Sequence, residues 1–318
     1  MWYSIIFLIV GFVVLVKGAD WLVEGGSALA RKYHVSDLAI GLTVVAFGTS
    51  MPELVVNTFA AFQGHSGIVF GNIIGSNIFN IFVILGLTGI ITPIIVQSSS
   101  VWREIPLSFL AIVILFVLTN ELVFSETNVL SRIDGLILLG AFGGFLYYVF
   151  NQLSHDESIQ PMAIKELSTI RIWIYLFAGL GLLILGGRLV VVNAVEMATL
   201  LGMSQTVIGL TIVAAGTSLP ELATSVVAAV KKKNDIAVGN IIGSNIFNIF
   251  FILGVSALIR PIDYNPAFNQ DIFLLGLGTL LLFVAMFSGK RKKLDRWEAA
   301  ILLILYVAYT VNLIFKAS

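Results

Sequence analysis

Glu53 and Glu221 stand out chemically. Each directly follows a proline, in Gly48-Thr49-Ser50-Met51-Pro52-Glu53 and Gly216-Thr217-Ser218-Leu219-Pro220-Glu221. The second segment lies 168 residues after the first, and at that same offset the twelve residues Gly71 to Phe82 recur letter for letter as Gly239 to Phe250. Thr49 and Thr217 stand four residues before their glutamates, on the same helix face. Asn72, Ser76 and Asn80 fall at i, i+4 and i+8, a polar stripe that Asn240, Ser244 and Asn248 repeat. Brought together, these carboxylates, hydroxyls and amides are all hard oxygen donors. They suit Ca2+, which takes roughly six to eight oxygens at about 2.3–2.6 Å. Soft metals are not served: the chain has no cysteine, and its three histidines (His34, His65, His155) fall in predicted loops.

The prolines matter as much as the acids. Pro52 lacks an N–H, and its ring clashes with the carbonyl of Gly48, so a helix here must bend or break around 46–52. That frees carbonyls near Ala46 and Thr49, and Pro220 repeats the arrangement near Ala214 and Thr217. Broken backbone at membrane depth is tolerated only where protein, a watery cavity or a bound cation satisfies it. A mid-membrane carboxylate is costly and marks a functional site by default. Two of them in one low-dielectric pocket repel each other, so the pocket favours cations or protons. One divalent ion then competes with monovalent ions, or with protons, for the same two charges. That competition is the basis of exchange.

The surroundings are a membrane. Of the 318 residues 58% are hydrophobic and only 11% charged, with a mean hydropathy of +1.01. A soluble domain carries about a quarter charged residues. Ten stretches approach the ~20 apolar residues that a spanning helix needs: 3–30, 36–62, 67–90, 103–120, 130–150, 170–195, 204–230, 236–259, 270–288 and 296–315. The first and sixth are long enough to be tilted. The apolar start from Trp2, without a basic region or a cleavage site, reads as the first span rather than a signal peptide. Residues 151–169, with His155, Asp156, Glu157, Lys165 and Glu166, are polar enough for an aqueous linker. The expected organisation is all-α: a five-helix repeat over 1–150, a cytoplasmic linker over 151–169, and a second five-helix repeat over 170–318.

Five spans is an odd number, so the second copy must enter the membrane from the other side. Thirteen Lys/Arg flank the loops after odd-numbered spans, among them Arg31, Lys32, Arg103, Arg171, Lys231–Lys233 and Lys290–Lys293, against three (Arg132, Arg260, Lys316) on the other face. By the positive-inside rule both termini lie outside and the odd loops are cytoplasmic. Inverted repeats of this kind are typical of secondary transporters with a midplane site.

Several features carry blander readings. Gly71/Gly75 and Gly239/Gly243 are small-xxx-small pairs that let a neighbouring helix approach. Asn77 and Asn245 face away from the polar stripe, and packing or capping is expected of them. Asp20 in the first span is expected to be structural, with Arg188 in the sixth a candidate partner. The lysine clusters read as topology signals. Zero formal net charge argues against a nucleic-acid partner, and no obligate protein partner or cofactor is indicated. An oxygen cage repeated in both halves is a poor fit to hydrolysis. A channel is the competing transport class, but channels draw selectivity rings from several subunits, whereas one chain here supplies both halves of one site.

The paired motifs Gly-Thr-Ser-x-Pro-Glu and Gly-Asn-x-x-Gly-Ser-Asn-x-x-Asn, duplicated at one offset across the whole chain, resemble the α-repeats of the sodium/calcium exchanger family and, more broadly, the calcium:cation antiporter superfamily. The resemblance implies alternating access, with spans 1 and 6 sliding across a fixed core of spans 2, 3, 7 and 8. It also implies an ion-ligand set. In the first half this is the Ala46 carbonyl, Thr49, Ser50, Glu53, Ser76 and Asn80. In the second it is the Ala214 carbonyl, Thr217, Ser218, Glu221, Ser244 and Asn248. The implied activity is Ca2+/Na+ antiport, with Ca2+/H+ or another cation/H+ exchange as the alternative. Asn248 departs from relatives that carry Asp there. The pocket therefore holds two formal charges rather than three, which argues against potassium co-transport and leaves Na+ and H+ both open.

Overall fold

The computed structural model describes residues 2–120, 128–153, 167–202, 214–288 and 292–317, and nearly all of these are helical. Span 1 is Trp2–Tyr33. Span 2 is a broken pair, Asp37–Thr49 and Met51–Gln63, bent by 49°. Spans 3, 4 and 5 are Ser66–Ile91, Ser100–Thr119 and Arg132–Leu153. Span 6 is Thr169–Leu200. Span 7 is described from Ala214–Gly216 and Leu219–Val230, and the first part expected for it, 204–213, lies outside the described residues. Spans 8, 9 and 10 are Asn234–Ile259, Asn269–Ala285 and Arg296–Ala317. Among the described residues, eight helices are long and apolar enough to cross a bilayer and the bent pair makes a ninth. Leu219–Val230 belongs to the tenth. Spans 1 and 6 have 32 residues each, about 48 Å at 1.5 Å per residue. That exceeds a hydrocarbon core of ~30 Å, so they tilt. Of the expected linker, 154–166 lie outside the described residues, with its His155, Asp156, Glu157, Lys165 and Glu166.

Loop contacts demonstrate the inversion. Four two-residue strands form two antiparallel pairs: β1 (Ile94–Ile95) with β4 (Lys293–Leu294), and β2 (Val129–Leu130) with β3 (Ile262–Asp263). β1 and β4 follow spans 3 and 9, while β2 and β3 follow spans 4 and 8. The repeat maps β1 onto β3 and β2 onto β4, so each pair is the image of the other on the opposite face. Side chains obey the same segregation. Lys233 after span 7 pairs with Asp37 after span 1 at 3.0 Å, Gln97 after span 3 donates to Asp235 after span 7 at 2.7 Å, and Lys292 after span 9 reaches Ser98 after span 3. Across the membrane, the Asp263 amide after span 8 donates to Ser66 after span 2 at 3.2 Å.

Spans 3 and 8 sit at the centre. Their most apolar stretches are 78% and 83% buried, against 17% for span 10. The main apolar core surrounds them, with Phe70, Phe82, Phe247 and Phe250. A second core lies under spans 1 and 6, with Leu15, Leu22, Leu176 and Leu183. Those two spans run antiparallel, backbone against backbone. A Cβ at Gly18 would stand 2.8 Å from the Gly179 carbonyl, and one at Gly186 2.6 Å from the Leu15 nitrogen. No side chain larger than hydrogen fits at these crossings. The same register explains why Asp20 does not meet Arg188. Gly18 lies against Leu183, which places exposed Arg188 about two turns away from Asp20 along the pair. Asp20 instead pairs with Lys17 at 3.2 Å and Lys231 at 2.5 Å.

The small-residue expectation is met in the second repeat. A Cβ at Gly239 would stand 2.9 Å from the Leu38 carbonyl oxygen, and one at Gly243 2.8 Å from the Ala46 Cβ. Among the described residues nothing comes within 4 Å of Gly75, and only Phe268, at 3.9 Å, is near Gly71.

Candidate functional site

The break in each proline helix falls on a serine. Ser50 has φ −83° and ψ 7°, and Ser218 has φ −88° and ψ 6°. A new helix starts directly after each, with the proline inside its first turn, where no backbone N–H is required. Glu53 and Glu221 therefore lie in the first turn of a half-helix, at the positive end of its dipole. The placement corrects one expectation. The Ala46 carbonyl is not vacated: it accepts the Ser50 amide at 3.0 Å and the Thr49 hydroxyl at 3.3 Å. Helical backbone persists through Thr49, so that i→i+4 bond closes before the chain breaks. The carbonyl that loses its helical donor to Pro52 is that of Gly48. Ala214 stands at the edge of the described residues, where it opens Ala214–Gly216.

The two repeats interlock at their carboxylates. Ser50 donates to Glu221 Oε1 at 2.9 Å, and Ser218 to Glu53 Oε1 at 3.3 Å. Ser76 also donates to Glu53 Oε1 at 3.3 Å. Both glutamates have no solvent exposure. Their backbones are braced too: Asn57 donates to the Glu53 carbonyl at 2.7 Å, and Asn240 to the Glu221 carbonyl at 3.3 Å. Asn240 further accepts from Thr49 at 2.9 Å and donates to Ser225 at 3.0 Å.

Asn80 and Asn248 stand one turn beyond Ser76 and Ser244, in π-helical turns at Phe79–Ile84 and Phe247–Ile252. Such turns are rare and recur at functional sites. Their amides cross between repeats. Asn80 Nδ2 donates to Asn245 Oδ1, and Asn248 Nδ2 donates to Asn77 Oδ1, each at 2.9 Å. Sequence reasoning gave Asn77 and Asn245 only packing or capping roles. It also passed over Asn57 and its repeat counterpart Ser225. The available signal was polarity kept at equivalent positions of both copies.

What remains unpaired defines the chemistry. Glu53 Oε2, Glu221 Oε2, Asn80 Oδ1, Asn248 Oδ1 and Ser244 Oγ are buried without a hydrogen-bond partner. Buried polar atoms are ordinarily satisfied, and each exception asks for an explanation such as an ion. Four of these five are pure acceptors when the carboxyls are ionised, so what would satisfy them is a cation or a hydrogen-bond donor. No cluster of three or more His, Cys, Asp or Glu residues able to hold a metal occurs among the described residues. The charge here is therefore that of the two glutamates.

Comparison with known proteins agrees with the motifs. A family model described as "Sodium/calcium exchanger protein" matches residues 3–151 and 171–315. The chain is 39% identical to the "Putative antiporter CaxA" of Alkalimonas amylolytica, over 97% of this chain and 98% of that one. It is 30% identical to the "Sodium/calcium exchanger MaX1" of Methanosarcina acetivorans, over 98% and 99%. A solved structure of the sodium-calcium exchanger NCX_Mj, soaked with zero Na+ and Ca2+, superimposes with a TM-score of 0.82 at 34% identity, covering 98% of each chain.

Proposed function

The chain belongs to the sodium/calcium exchanger family, and on that footing we propose that it is a secondary antiporter exchanging Ca2+ for Na+ at a midplane site between its repeats. One observation carries this reading: two fully buried carboxylates, each held through Oε1 by a serine of the opposite repeat, each with Oε2 unpartnered. The ligands are Glu53, Glu221, Thr49, Thr217, Ser50, Ser218, Ser76, Ser244, Asn80 and Asn248, with the Ala46 and Ala214 carbonyls. Ala46 can still serve through the second lone pair of its oxygen.

The same burial supplies the coupling. A charge at the bilayer centre costs about 2.5–3.5 kcal/mol or more, and two like charges cost more than twice one. A loaded site is neutral with one Ca2+ or two monovalent cations, whereas an empty site is doubly anionic. Reorientation while empty is therefore disfavoured, so each ion's passage depends on the return of the other. The glycine contacts of spans 1 and 6 leave them no room to shift independently, and they move as one body over the fixed central spans. In the same reading the halves divide at residues 151–169, both termini lie outside the cell membrane, and the odd loops are cytoplasmic.

Everted membrane vesicles test the counter-ion. Calcium uptake driven by an imposed Na+ gradient and insensitive to collapse of the pH gradient is expected. Uptake that persists without Na+ and collapses with the pH gradient would instead make this a Ca2+/H+ antiporter.

A further inference from the structure

The crossed asparagines do more than join the repeats. An amide offers a cation either a carbonyl oxygen or an NH2 group, and only the oxygen is a ligand. An unanchored Asn at the site would present both faces. Asn77 is anchored, because its Nδ2 donates to the Asn245 backbone carbonyl at 3.2 Å. A backbone carbonyl can only accept, so Asn77 must turn Nδ2 toward it and Oδ1 away. Asn77 Oδ1 in turn meets Asn248 at 2.9 Å. An oxygen there can only accept, so Asn248 must present Nδ2 to it. Asn248 Oδ1 is left pointing elsewhere, buried and unpartnered. The pseudo-symmetric contact, Asn80 Nδ2 to Asn245 Oδ1 at 2.9 Å, leaves Asn80 Oδ1 unpartnered too, but Asn245 Nδ2 is itself buried without a partner, so the amide of Asn77 is anchored and that of Asn245 is not. All four side chains are at most 1% exposed, so water does not compete for these bonds.

We infer that Asn77 is a positioning residue that locks the amide oxygen of Asn248 toward the transported cation, acting on the ligand of the opposite repeat. The inference rests on the antiporter reading above. It has a specificity consequence. The Asn77 oxygen requires a donor at position 248, so this pocket is built around a neutral ligand there. A carboxylate at 248 would face that oxygen without a proton to share.

A double-mutant cycle tests this on the full-length protein by vesicle flux. Asn77→Ala frees the Asn248 amide to turn, and the KM for Ca2+ is expected to rise about tenfold, with the maximal rate changed far less. A carboxylate has two equivalent oxygens and needs no orienting partner. In the Asn248→Asp background, Asn77→Ala should therefore leave KM unchanged or lower it. An equal penalty in both backgrounds, or a loss confined to the maximal rate, overturns the inference and makes Asn77 merely structural. Asn77→Ser runs the same cycle, so a variant that fails to fold does not end the test, and Asn245→Ala, which removes an unanchored amide, is expected to raise KM less than Asn77→Ala. The purified protein's thermal stabilisation by Ca2+ or Na+ provides a binding readout free of transport. A wild-type protein that neither carries Ca2+ nor responds to either ion overturns the antiporter reading and this one together. A responsive wild type with equal penalties overturns only this one.

Discussion

Ser50 of the first repeat donates its hydroxyl to Oε1 of Glu221 in the second, at 2.9 Å, and Ser218 returns the contact to Glu53 at 3.3 Å. Neither half holds a complete site. Each carboxylate is aimed by a serine that sits at the helix break of the other half, so the geometry of the pocket follows the fit between repeats.

Removing either charge should end exchange. Glu53→Gln and Glu221→Gln keep shape and remove half of the pocket's charge. Ca2+ flux is expected to fall to background in each, while gel filtration and thermal unfolding of the purified variants stay near wild type. Full flux in both variants would refute the site.

Removing an aiming serine should be graded rather than total. A hydrogen bond to a charged group is worth about 1.5–3 kcal/mol. Ser50→Ala and Ser218→Ala are expected to raise the KM for Ca2+ by about tenfold or more. The effect of Ser50→Ala should vanish in a Glu221→Gln background when cation binding is followed calorimetrically, because the oriented charge is already gone. Additive losses would show that the serine acts elsewhere.

The contact between spans 1 and 6 tolerates no Cβ at its crossings. Gly186→Ala puts a methyl 2.6 Å from the Leu15 nitrogen, and overpacking of this kind costs about 1–3 kcal/mol. A lowered melting temperature and reduced transport are expected. Gly181→Ala is the control, since nothing lies within 4 Å of its Cβ among the described residues. Equal effects of the two changes would contradict the packing argument.

Protons and Ca2+ compete for the same two carboxylates. Acidification neutralises them, so the apparent KM for Ca2+ should rise as pH falls, while the rate at saturating Ca2+ is preserved. Flux titrations of Ca2+ at several pH values measure this. A maximal rate that falls with unchanged KM would place the titrating group outside the ion site.

Much of this was legible from residue types and spacing. The exact twelve-residue repeat, an odd number of spans and the lysine bias imply inversion without coordinates, and the segregated loop pairings β1·β4 and β2·β3 are its physical expression. The proximity of Glu53 to Thr49 and Ser50 along the chain was visible, but the break at Ser50 takes Thr49 off the Glu53 helix, and Ser50 bonds Glu221 instead. The actual bonding partners of Glu53 were not visible, because Ser76 and Ser218 reach it from 23 and 165 residues away. Asp20 shows the same limit. Sequence matched it by repeat position to Arg188, but antiparallel helices pair residues by level, and Lys231 arrives from a third element.

The sequence alone determined the membrane setting, the duplication, the two charged residues and the helix breaks, since hydropathy, identity at a fixed offset and proline's missing N–H are properties of the chain itself. Tertiary structure decided which repeat's serine bonds which carboxylate. It placed the break at Ser50 and Ser218 and kept the Ala46 carbonyl bonded. It also joined Asn77 to Asn248 and Asn245 to Asn80 by hydrogen bonds between repeats. The contacts between repeats are hydrogen bonds between atoms some 165 to 171 residues apart, and no local pattern encodes the direction of a donor.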